Sequence, residues 1–203
     1  MLPRVRALPT EWNDPPWRSP LDAEAVLASL PSSATISGIF LQAVCDLAKS
    51  RGVTLLSARE SYVGFRPYLL RDHATLMVEA ARAVWPKESL REGLRRQGRG
   101  SPGALVKSMI GRVVLGSAEG PIEVLHAMAR SYALHTKPAR IDILDATPGR
   151  AIVRATDVLY FLDSHHVGVF EGVLRYAQVE SARVRIHRYS ESEADLLYEW
   201  TGR

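Results

Sequence analysis

The chain has 203 residues, with 26 Lys and Arg against 22 Asp and Glu, and 46% of it is apolar. That length buries a core without disulfides or structural metals, and that composition excludes a wholly disordered chain. No apolar run approaches the ~18 residues a membrane-spanning helix needs, and the start, Met1-Leu2-Pro3-Arg4-Val5-Arg6, lacks the apolar stretch of a secretory signal. No membrane partner is expected.

Residues 1–20 hold Pro3, Pro9, Pro15, Pro16 and Pro20, with Trp12 and Trp17 among them. Proline at that density forbids regular helix or strand. The segment reads as an extended arm, and residues 21–203 as one α+β domain. Tryptophan in such an arm packs onto something.

Ser19-Pro20 predicts a helix start, with a capping hydroxyl, Pro at the first helical position, and Asp22 and Glu24 at the positive dipole end. That helix ends near Leu30, before Pro31. Ser37-Gly38 opens a second helix, ended by Arg51-Gly52, and 54–67 is mixed. Leu70, Ala74, Met77, Val78, Ala81 and Val84 then recur at helical spacing up to Trp85-Pro86. A short basic helix follows, with Lys87, Arg91, Arg95, Arg96 and Arg99, broken by Gly98 and Gly100. Ser101-Pro102 starts another, with Leu105, Met109 and Val113 on one face. Gly120-Pro121 starts the next, with Ile122, Leu125, Ala129 and Tyr132 on one face, closed by Pro138.

Beyond Pro138 the period shortens to two. Ile141 and Ile143 alternate with polar neighbours, Thr147-Pro148-Gly149 turns, and Ala151–Ala155 returns. Residues 164–178 are helical, with Gly168 and Gly172 forming a strip for close backbone approach. Residues 183–188 and 196–200 are strands joined by a turn at Ser190–Glu193. The fold class is α+β: an N-terminal helical half packed on an antiparallel sheet of strand–strand–helix–strand–strand order.

No complete catalytic motif is present, so no catalytic residue is assigned. There is no phosphate-loop pattern, no G-x-S-x-G and no H-E-x-x-H. Gly98–Gly103 with Arg95, Arg96 and Arg99 reads as a weak anion site at a helix start. A nucleic-acid role for Arg91–Arg112 is a rival reading, though a net +4 spread over the chain is a faint electrostatic footprint. Twenty-two of the 26 cations are Arg, the better fork for carboxylate and phosphate. Asp163, His165 and His166 read as structural capping, since neighbouring helical residues diverge, and no metal is expected. Cys45 is the only cysteine, so no intrachain disulfide forms and a reducing cytoplasm is expected. Its apolar helical context reads as a buried side chain, not a nucleophile. His126 lies beside the apolar stripe of its helix, where an inward imidazole is a core residue or a haem ligand. An enzyme would pair it with Asp157 or Glu171.

From about residue 36 to Trp200 the chain resembles a paralogous family of uncharacterised myxobacterial proteins. The carrying residues are Gly38–Ala43, Ala80–Pro86, Gly98-Arg99, Gly111-Arg112, Gly168–Leu174 and Leu197–Trp200. The order of elements also resembles the haem-nitric oxide/oxygen-binding sensor domains and the related vinyl-reductase-like ligand-binding fold. That resemblance implies a proximal histidine, a place taken by His126 ahead of Pro138-Ala139-Arg140. The sensors' Tyr-x-Ser-x-Arg haem clamp is absent, the region reading Arg154–Tyr160. The expectation is therefore a non-enzymatic regulatory or sensory module without a cofactor, haem on His126 being the alternative. Its partner is a small apolar ligand or a protein, with a homodimer open. The ligand pocket is assigned to His126, Tyr132, Tyr160 and Phe170.

Overall fold

Asp22, not Ser19, begins the first helix. In the computed structural model, which describes residues 6–107 and 118–201, α1 spans Ala23–Ser29, and the Asp22 carboxylate accepts from the Ala25 N–H at 2.9 Å. A carboxylate there satisfies an orphan donor and meets the positive dipole end. The Ser19 and Pro20 carbonyls lie ahead of the helix and accept from Arg91 at 3.2 and 3.4 Å. α2 (Gly38–Ser50) stops at Arg51-Gly52 with Gly52 at φ 71, and α3 (Leu70–Val84) stops at Trp85 before Pro86, as glycine and proline punctuation predicts.

α4 (Leu90–Lys107) corrects the predicted break, because it runs unbroken through Gly98, Gly100 and Pro102. The reason is packing. α6 (Val167–Tyr176) lies so close to α4 that a Cβ at Gly98 would strike the His165 carbonyl. At Gly168 it would strike that of Arg95, and at Gly172 that of Arg99. Tertiary contact of this kind overrides a propensity deficit of ~1 kcal/mol per glycine. Pro102 withholds an N–H inside the helix, and the Ser101 hydroxyl donates to the nearby Gln97 carbonyl at 3.3 Å. Met109, Gly111, Arg112 and Val113, and the Leu105 side chain, lie outside the described residues. α5 (Gly120–His135) has Pro121 in its first turn, where a missing N–H costs nothing.

Three short strands escaped the sequence reading. β1 (Thr35–Ser37), β2 (Pro67–Leu69) and β3 (Thr136–Lys137) form an antiparallel sheet ordered β2-β1-β3. Two or three residues are too few to display a period. The larger sheet holds β4 (Arg140–Thr147), β5 (Arg150–Thr156), β6 (Arg183–Arg188) and β7 (Ala194–Glu199) in the order β4-β5-β7-β6, all antiparallel. Pro148-Gly149 joins β4 to β5, with Gly149 at φ 86. The architecture is the expected α+β arrangement.

Two apolar clusters result. Leu125, Val153, Phe170, Leu196 and Tyr198 pack between the larger sheet, α5 and α6. Leu41, Leu70, Leu76, Met77 and Leu94 pack among the N-terminal helices. Each such side chain contributes roughly 1.5–3 kcal/mol on burial. A π-helical turn, Leu162–His166, sits where the halves meet, entered through Phe161 at φ 45, and all five of its side chains are buried. The N-terminal arm lies against the sheet side. Asn13 pairs with Ile186 at the β6 edge, Arg6 stacks on Tyr189 at 4.1 Å, and Arg95 stacks on Trp17 at 3.9 Å.

Candidate functional site

Four histidines converge between the two halves. α3 contributes His73, α5 contributes His135, and the π-turn contributes His165 and His166, all at 5% exposure or less. His73 follows Leu70 by three residues on the buried stripe of α3. His135 follows Tyr132 by three and Met128 by seven on α5, so helical spacing carries both inward. His165 and His166 are neighbours, yet both are buried, because the π-turn widens the helix under them.

Tyr132 Oη and His166 Nε2 are 2.6 Å apart, and His166 Nδ1 lies 3.4 Å from the Phe161 carbonyl. A carbonyl only accepts, so Nδ1 carries the proton and Nε2 accepts from the tyrosine. His135 Nδ1 is 3.1 Å from Ser37 Oγ, and its ring meets Phe40 edge-on and stacks on Phe65. His73, His165 and His166 each lie within 6.3 Å of the Tyr160 ring, centre to centre. Burial holds these imidazoles neutral. His73 is pushed down to about 3, with His166 adding to the effect, and His166 is pushed down to about 4. His165 falls well below the ordinary histidine value for the same reason, with its two histidine neighbours reinforcing it. Burial also raises the Tyr132 and Tyr160 hydroxyls, so neither ionises near neutrality.

His73, His135, His165, Tyr132 and Tyr160 line a cavity of about 30 Å³, whose apolar wall includes Ile36, Phe40, Met128 and Val169. Among the described residues, four of its lining residues keep a buried polar atom without a partner: His73 Nδ1, His165 Nδ1, His135 Nε2 and Ser131 Oγ. Native interiors rarely leave such atoms unpaired, each costing ~1–3 kcal/mol.

The predicted pocket residues separate. Tyr132 and Tyr160 meet in this cavity. Phe170 does not, lying in the sheet-side cluster 6.1 Å from the Tyr198 ring. His126 is exposed and lines an open cleft with Arg130 and Arg140. One residue past buried Leu125, it is turned ~100° from the inward face. An inward His126 is thus corrected, and His73, His135, His165 and Ser131 stand where it was expected.

The fit to haem fails on the same geometry. A site that buries a drug-sized ligand holds ~300–1,000 Å³, this cavity holds about 30 Å³, and His126, the expected axial ligand, lines a separate open cleft. The weak anion site also dissolves. Gly98–Gly103 lies inside α4, so no free helix N-terminus exists there. Arg95 and Arg99 grip Glu171, and Arg96 pairs with Glu88 and Glu92. Arg91 pairs with Asp163, so the described part of the basic segment is neutralised at each guanidinium. Glu171 is thereby committed, and it lines a different cleft from His126. Asp163 caps nothing; it holds Arg91 and Arg188, the latter at 3.0 Å. Burial raises the half-buried Cys45 thiol, with Asp46 and Glu79 reinforcing it, and a raised thiol is a poor nucleophile. Among the described residues no His/Cys/Asp/Glu group could hold a metal, and no helix is long and apolar enough to cross a membrane.

The architecture is similar to that of solved H-NOX proteins. The Fe(II) unliganded H-NOX protein from K. algicida superposes with a TM-score of 0.61 at 13% identity, over 83% of this chain and 98% of that one. The Fe(II)NO form of an H-NOX protein from S. oneidensis gives 0.60 at 11% identity, over 82% of this chain and all (100%) of that one. Identities this low show the fold alone. No curated protein matches in sequence. Residues 30–201 match the model of the family described as protein of unknown function (DUF2378), and the chain belongs to that family.

Proposed function

We propose that this chain is a non-enzymatic sensory or regulatory module that takes a small neutral ligand between its helical and sheet halves. The carrying observation is the set of four polar atoms, unpartnered among the described residues, on side chains lining one cavity. Buried polar groups kept at a cost to stability mark a place where something else supplies the missing hydrogen bonds. The imidazoles are neutral there, so the complement is an uncharged group that donates or accepts. The likeness to H-NOX sensor structures supports a sensing role on the same fold. About 30 Å³ admits roughly two water-sized groups without side-chain movement.

Methanol is a suitable probe, having one methyl and one hydroxyl. Titration of the ¹⁵N-labelled chain should give saturable shifts at Ser131, His73 and His165. Ser131→Leu, which fills the cavity, should abolish them. Absence of saturation, or shifts unchanged in Ser131→Leu, overturns the reading. Native mass spectrometry and an absorption spectrum of the purified protein supply a second arm, in which a Soret band would return haem as the ligand.

A further inference from the structure

Gln97 presents a second anomaly, outside the histidine cavity. It lies on α4, is 3% exposed, and neither its Oε1 nor its Nε2 has a partner among the described residues. It lines a pocket of about 80 Å³ between α2 and α4 with Phe40, Ala43, Val44, Leu47 and Ser101. Leucine or methionine would fill that position without the penalty for two orphaned polar atoms. A glutamine kept there, its whole amide unsatisfied, is poorly explained by stability and well explained by a ligand.

Chemistry narrows the ligand. A carboxamide shows one donor and one acceptor side by side, and its complement is another amide edge with N–H and C=O on the same side. A carboxylate lacks the donor that Gln97 Oε1 needs. The Ser101 O–H already donates to the backbone carbonyl of Gln97, so it does not serve Oε1. The remaining wall, Phe40, Ala43, Val44 and Leu47, suits a small aliphatic body. We propose that the α2/α4 pocket binds a neutral lactam or primary carboxamide, read by Gln97 through paired hydrogen bonds. This rests on the sensory-module reading and names its ligand class. The two spaces adjoin, since Phe40 and Ser101 line both the pocket and the histidine cavity. Phe40, edge-on to His135 at 5.6 Å, is the wall between them.

The test is a ¹H–¹⁵N titration of the full chain with 2-pyrrolidinone, beside N-methyl-2-pyrrolidinone, which lacks the donor, and cyclopentanone, which lacks the nitrogen. Saturable shifts of the Gln97 side-chain amide and of α2 and α4 are expected with 2-pyrrolidinone. Binding should weaken at least ~10-fold for each control, as for a lost hydrogen bond to a buried partner. It should be lost in Gln97→Leu, whose melting temperature should rise. Gln97→Met serves as a second variant should the leucine shape not be accepted. No saturable shift, meaning a pocket filled by water alone, overturns the inference. So does equal affinity for the N-methyl compound, binding retained in Gln97→Leu, or a lowered melting temperature in both variants. A methanol response at Ser131 and His165 without a lactam response sinks this inference alone. A lactam response without a methanol response sinks the cavity reading and leaves Gln97 as the site.

Discussion

Tyr132 Oη lies 2.6 Å from His166 Nε2, joining α5 to the π-turn across the boundary between the two halves. The Phe161 carbonyl facing Nδ1 fixes the tautomer of His166, so Nε2 accepts from the tyrosine. Tyr132→Phe keeps the ring and deletes the donor, leaving Nε2 orphaned in a buried site. The expected cost is about 1–3 kcal/mol of unfolding free energy. Urea denaturation measures it, and a change below ~0.5 kcal/mol would show that the bond is not made.

Acid should destabilise the fold in a defined window. An unfolded histidine titrates near ~6.5, whereas burial holds His73 near about 3 and His166 near about 4 in the folded chain. Their folded values are depressed, so the unfolded state binds more protons below ~6.5. Stability is then whole above that pH and falls as pH drops towards the folded values. Each histidine contributes up to ~1.4 kcal/mol per pH unit in that interval. Urea midpoints at pH 7, 6 and 5 test the slope, which His73→Leu should flatten by about one proton. Equal slopes in both proteins would refute the account.

Two glycines of α4 that look alike in sequence should respond oppositely. A Cβ at Gly98 would meet the His165 carbonyl and the Val169 nitrogen, whereas one at Gly100 meets nothing within 4 Å. Gly98→Ala should destabilise by at least ~1–3 kcal/mol through overpacking. Gly100→Ala should stabilise by ~0.5–1 kcal/mol through helix propensity. Thermal melts of the two variants decide it, and like-signed shifts would contradict the α4–α6 packing.

His126→Ala should change little. The side chain is exposed, and such substitutions stay within ~0.5 kcal/mol. Added haemin should give no stoichiometric Soret complex with either protein, because the cavity between the halves is about 30 Å³ and His126 does not line it. A strong band lost specifically in His126→Ala would restore His126 as an axial ligand.

Asp163 lies buried between Arg91 and Arg188. Asp163→Asn removes the buried charge shared by the two guanidiniums and should cost ~3–5 kcal/mol, as for breaking a buried pair. Replacement of exposed Glu191, the other carboxylate on Arg188, should cost under ~1 kcal/mol. Denaturation of both variants makes the comparison.

The legible part of the chain is the part governed by local rules. The Leu70–Val84 stripe, the Gly52 and Pro86 stops, and the alternation around Ile141 and Ile143 and along residues 183–188 each follow from one element's own periodicity or punctuation. Of the site, Tyr132 and Tyr160 were readable as inward aromatics. His126 failed because one residue on a helix is a ~100° rotation, and the stripe alone does not fix its edge.

Length, composition and period thus determine by themselves an α+β chain with a helical half followed by two hairpins around a helix. Tertiary structure alone decided the rest. α4 continues past Gly98 because the π-turn and the start of α6 pack against a backbone that carries no side chain there. The three short strands exist because distant segments find one another, Thr35 pairing with Leu69 on one side and with Lys137 on the other, 34 and 102 positions along the chain. The histidines come together from α3, α5 and the π-turn, separated by up to 93 positions between His73 and His166. Local propensity contains no term for such meetings; burial and close packing between distant segments supply them.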